Sequence, residues 1–132
     1  EYPSDAQQQA LIQAIYGPDG FKSGKRGARV TDPVEAILQD FRSQGITTIL
    51  SGMTEIPLLL PHLSVPDGVS VIDTNALYAA QALIESDTVH RAAFKIGVVG
   101  GVGPAATVDF LDKIVSNTNS ARDQDHVKIL VE

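Results

Sequence analysis

The sequence predicts an α/β fold built on a parallel sheet, and three observations predict it. Short apolar runs rich in β-branched residues recur at 46–50, 69–72, 96–100 and 127–131. Segments with apolar residues at helical spacing separate them, so the order reads α, α, β, α, β, α, β, α, β. The strand runs are mostly apolar and alternate with helices, which is the pattern of a parallel sheet covered on both faces.

Each element has a local cause. In 5–16, Ala6, Ala10, Leu11, Ala14 and Ile15 recur at helical spacing, and Ser4 or Asp5 caps the start. Residues 17–30 are a glycine-rich, basic loop holding Lys22, Lys25, Arg26 and Arg29. A second helix is expected to begin at a Thr31 or Asp32 cap, with Pro33 in its first turn, and to stop near Gly45. The run 46–50 is a buried strand bounded by glycines, and Thr54 to Leu60 opens a short helix that tolerates Pro57 in its first turn. A strand at 69–72 leads into Asp73-Thr74-Asn75, which caps a helix reaching about Glu85. The strand at 96–100 is followed by a glycine turn, a helix from Pro104 to about Asn117 and a last strand at 127–131. The expected assembly is a sheet of four or more parallel strands with helices on both faces. That is a three-layer arrangement of the Rossmann-like or flavodoxin-like kind, with right-handed crossovers.

Composition narrows the function classes. At 132 residues the chain has the length of about one domain. Hydrophobic residues make up 43% and charged residues 20%, too apolar for a disordered chain. Ten Lys and Arg against sixteen Asp and Glu give a net charge of −6, so nucleic acid is not an expected partner. No run is long enough for a transmembrane helix, and no secretory signal opens the chain, so a soluble, cytoplasmic protein is expected. With no cysteine, disulfides, thiolate metal sites and cysteine nucleophiles are excluded. His62, His90 and His126 show no metal-ligand spacing, although His126 sits beside Asp125. No G-x-S-x-G nucleophile elbow is present.

Strand-to-helix junctions of a parallel sheet gather ligands, because helix N-termini present free N–H groups and partial positive charge. At 100–107 the chain reads Gly-Gly-Val-Gly-Pro-Ala-Ala-Thr, which from Gly101 satisfies the G-x-G-x-x-A form of the dinucleotide fingerprint. Glu132 ends the following strand, farther past Gly103 than the about 20 residues the fingerprint sets for its acidic partner. Three roles stand for this turn: nicotinamide-dinucleotide binding, an anionic small ligand, or helix-on-strand packing alone. At 51–56 the chain reads Ser-Gly-Met-Thr-Glu-Ile. Either Thr54 caps the helix and Glu55 complements its dipole, or the two bind the ammonium and carboxylate of a zwitterion, and residue chemistry alone favours the cap. Met53 reads as a core filler. The four cations of 17–30 are either solvated or an anion-binding lid, with Lys22 the foremost candidate.

The string GMTEIPLLL, followed by a strand ending Val71-Ile72-Asp73-Thr74, resembles the aspartate/glutamate racemase family, which carries GCTEIPLLL and an Asp-Thr strand end near its C-terminus. IYGPDGFKSG upstream resembles the stretch that precedes that motif, lysine included. KIGVVGGVGPAATVDFLDKIV with ARDQDHVKILVE resembles the family's N-terminus. The order is reversed: 1–88 resembles the C-terminal portion of one unit, 89–94 reads as a linker, and 95–132 resembles the N-terminal strand-helix-strand of another. The whole could still pack as one α/β domain. A tandem-junction fragment is the expected origin, and a circular permutant the alternative.

That resemblance implies a cofactor-independent isomerase in which two cysteines flank the substrate α-carbon, one removing a proton and the other delivering one. Here Met53 stands at one cysteine position, and the segment carrying the other is absent. A thioether has no transferable proton, so no catalytic residue is expected in this chain and proton transfer by it alone is not expected. What the resemblance carries over is binding: Lys22, Thr54 and Glu55, then Gly101, Val102, Gly103 and Thr107, which in a tandem parent serve a different site. No cofactor and no metal are expected. The partners expected are a small acidic amino acid or similar anionic small molecule, and either a second copy of the chain or the rest of a tandem parent. Two other roles compete, a nicotinamide-dinucleotide module and a non-catalytic regulatory or assembly domain.

Overall fold

The computed structural model describes residues 1–87, 95–98, 104–118, 120 and 126–131. Among them the chain is a mixed α/β protein with five α-helices and four short parallel strands. It divides into two compact units, Glu1–Ile72 and Asp73–Glu132.

The first unit opens with α1 (Asp5–Tyr16), started by a capping box in which Ser4 and Gln7 satisfy each other's backbone N–H groups. A 3-10 turn, Phe21–Ser23, follows, then α2 (Ala28–Ser43). This helix begins before the expected Thr31 or Asp32 cap, and Pro33 lies inside it rather than in its first turn. Gly27, at φ +88°, makes the start: its carbonyl accepts from Val30 N at 2.9 Å and Thr31 N at 3.1 Å. An interior proline costs roughly 3 kcal/mol. Against it stand Val30, Val34, Ile37, Leu38 and Phe41, all buried on one face and each contributing about 1.5–3 kcal/mol. Burial wins, and the helix runs through the proline.

β1 (Thr48–Leu50) pairs in parallel with β2 (Ser70–Ile72), with Ile49 opposite Val71. The link contains α3 (Ile56–Leu59) and a second 3-10 turn, Leu60–His62. Ile15, Phe21, Val30, Val34, Ile56 and Leu59 form the buried core, and Met53 packs against it from the edge. The expected fully buried strand is therefore corrected: Leu50 is 65% exposed, because the ladder is three residues long and the core is built mainly by helices.

In the second unit α4 (Thr74–Asp87) packs on α5 (Pro104–Asn117), and β3 (Lys95–Val98) pairs in parallel with β4 (Lys128–Val131). Ile114 and Val127 are buried here. Instead of one sheet of four or more strands, the described strands form two separate parallel pairs. Each pair is joined through a helical segment, which is the connection that parallel neighbours require. No helix among the described residues is long and apolar enough to cross a membrane.

Candidate functional site

Two of the predicted site residues, far apart in sequence, meet in the first unit. Lys22 Nζ lies 2.8 Å from Glu55 Oε1. The Glu55 side chain is 7% exposed and that of Lys22 31%, so a buried carboxylate is matched by a cation that reaches solvent.

The local folding that produces this pair is traceable. Lys22 follows Phe21, whose ring is buried in the core, and Glu55 precedes Ile56, which is buried in the same cluster. Anchoring both neighbours in one core brings the two polar side chains to its rim. At the end of β1, Ser51 ties the turn down: its hydroxyl donates to the Ile72 carbonyl at 2.8 Å and its N–H to the same oxygen at 3.2 Å. Glu55, not Thr54, occupies the cap position of α3. Glu55 is the residue before α3, yet it makes no side-chain cap; its carboxylate turns instead to Lys22 and accepts from Thr54 Oγ1 at 3.4 Å.

Lys22 Nζ also stands over the Tyr16 ring, 4.5 Å from its centre. The Glu55 hydrogen bond is the largest influence on Lys22, and with the charges of Glu55 and Tyr16 it holds the lysine above its ordinary value despite partial desolvation. The pair sets a cation beside a carboxylate, the two charges that a zwitterion would meet.

Of the other loop cations, Arg26 and Arg29 are engaged within the loop itself. Arg29 pairs with Asp19 at 2.7 Å, and Arg26 donates to the carbonyls of Phe21 and Lys25 while stacking 4.0 Å from the Phe21 ring. Both arginines hold the loop closed. Thr107 lies half-buried on α5 in the second unit. Gly101, Val102, Gly103, Glu132, His90, Asp125 and the 89–94 linker lie outside the described residues.

The second unit holds a polar cluster that sequence inspection missed. Lys113 Nζ reaches Asp73 Oδ2 at 2.7 Å and Asp109, one helical turn before it on α5. Asn75, 3% exposed, donates through Nδ2 to Asp109 Oδ2 at 2.8 Å, and Asp73 Oδ1 accepts from Ala76 N at 2.9 Å. Burial would raise the Asp73 carboxyl, but Lys113 and the backbone N–H groups outweigh it and hold it below the ordinary carboxylate value. Burial would likewise lower Lys113, and Asp109 and Asp73 outweigh that and hold it high. The Asp109–Lys113 spacing was the available signal. Nearby, a cavity of about 280 Å³ is lined by Ile114, Val115, Thr118, His126, Val127 and Ile129, none of them a predicted site residue. Among the described residues no cluster of three or more His, Asp or Glu is arranged to hold a metal.

In comparisons with known proteins, the chain matches no family model and has no significant match among solved structures.

Proposed function

We propose that this chain is part of an aspartate/glutamate racemase-like scaffold that binds a small acidic amino acid without itself moving the α-proton. The observation that carries it is the 2.8 Å Lys22–Glu55 pair beside Thr54. A substrate carboxylate takes Lys22, and its ammonium takes Glu55, so neither charge of the resident pair is left unmatched when the pair opens. Leaving a buried charge unmatched is what makes such exchanges costly. Supporting the fold side of the reading, each parallel strand pair with its helical link is the repeating unit of a three-layer Rossmann-like or flavodoxin-like arrangement.

Met53 supports the second half of the proposal. Its side chain packs against the apolar core at the position where the family motif has cysteine, and it carries no proton to give. The test is incubation of L-aspartate and L-glutamate with the purified chain in D₂O, read by NMR alongside a binding isotherm. Binding without loss of the α-proton signal is the expected result. Exchange of the α-proton refutes the non-catalytic half, and absence of binding by both amino acids refutes the ligand.

A further inference from the structure

Tyr16 was not singled out by its sequence position, yet the fold goes to some length to set it against Lys22. It is the last residue of α1, and Gly17 follows as the helix cap. The chain then doubles back so closely that a Cβ on Gly20 would sit 2.9 Å from the carbonyl oxygens of both Ala14 and Ile15. Only a residue without a side chain fits there, and the tight return carries the 3-10 turn back alongside the end of α1. Ile15 and Phe21 enter the core from the two arms of this return, which leaves Tyr16 and Lys22 side by side at its rim. The ring is 53% exposed and its face lies 4.5 Å from the ammonium. An ammonium over an aromatic face is attracted by the ring quadrupole.

We propose that Tyr16 is the positioning residue of this site: its ring face, together with the Glu55 carboxylate, holds the Lys22 ammonium in place for an incoming carboxylate. The proposal rests on the ligand reading above for its consequence, but the positioning itself is measurable without a ligand. Tyr16 acts through Lys22 and need not touch the bound molecule. Its ring face does the positioning, so phenylalanine can replace it there and an aliphatic side chain cannot, while the phenol oxygen adds to the raised Lys22 value.

The experiment compares wild type, Tyr16→Phe and Tyr16→Leu in the full chain by two readouts. One is the pH titration of the Lys22 ¹³Cε resonance in selectively labelled protein, assigned with Lys22→Arg. The other is L-glutamate affinity by calorimetry. Tyr16→Leu is expected to move the Lys22 titration toward the ordinary lysine value and to weaken L-glutamate about two- to fivefold, the size of an exposed cation–π contact. Tyr16→Phe is expected to keep near wild-type affinity and to fall between wild type and Tyr16→Leu in the titration, since the phenol oxygen also raises Lys22. An unchanged Lys22 titration in Tyr16→Leu overturns the proposal, whatever happens to affinity, because Tyr16 then does not position the lysine. Equal losses in Phe and Leu overturn it too, since the hydroxyl would be responsible. If wild type binds no L-glutamate, the ligand reading fails by itself and the titration still decides the role of Tyr16.

Discussion

Glu55 makes a strong demand on its surroundings, because a carboxylate this deeply buried needs a partner. Lys22 meets that demand from a turn whose neighbours are anchored in the same core. Lys22→Met is therefore expected to lower the melting temperature, while Lys22→Arg keeps the pair and most of the stability. The pH dependence has a definite sign. A lysine held above its ordinary value stabilises the fold fully below that value, and the contribution disappears as pH rises through the folded-state value. The gap in melting temperature between wild type and Lys22→Met should stay level through neutral pH and close only in the alkaline range. Thermal melts across that range check it.

Among the elements, α2 and the α4–α5 pair show what holds each unit. Gly27 starts α2 at φ +88° and ψ −166°, a backbone region open essentially to glycine alone. Gly27→Ala is expected to cost about 1–3 kcal/mol by chemical denaturation, even though a Cβ there meets open space. In the second unit Asp73 joins the start of α4 to Lys113 on α5. Its carboxyl is held low, so its contribution is present above the ordinary carboxylate value and is lost as pH falls through the folded-state value. Asp73→Asn is expected to cost about 1.5–3 kcal/mol near neutrality and to flatten the acid limb of the stability curve. Denaturation measured from about neutral to about pH 3 separates the two. Much of this was legible in the sequence. The Ser4 cap and the Gly17 stop delimit α1, and Pro104 and Asn117 delimit α5, because caps and helix breakers act locally. The start of α2 was not legible, since it depends on Val30 being drawn into a core assembled from other elements. Among the described residues the strands form two parallel pairs rather than one four-stranded sheet. Apolar strand runs report burial on some surface, and here helices rather than further strands supply much of it. Lys22 and Glu55 were legible one at a time, but their pairing and the part Tyr16 plays depend on the chain returning on itself at Gly20.

At the scale of the whole molecule, binding and chemistry part company. A racemase of the two-thiol kind needs an acid and a base on opposite faces of one carbon, and this sequence has no cysteine to offer either. Met53→Cys alone is accordingly expected to give no racemisation of aspartate or glutamate, measured by chiral chromatography over prolonged incubation, because a single thiol leaves the opposite face without a proton donor. Binding is the part that the Lys22–Glu55 geometry supports, and it is where the account is most exposed. The most direct measurement is an NMR titration of the labelled wild-type chain with L-aspartate and L-glutamate to millimolar concentration. Saturable shifts centred on Lys22, Thr54 and Glu55, abolished in Lys22→Met, are the predicted result. A spectrum unmoved at those three residues by either amino acid would contradict the account at its centre.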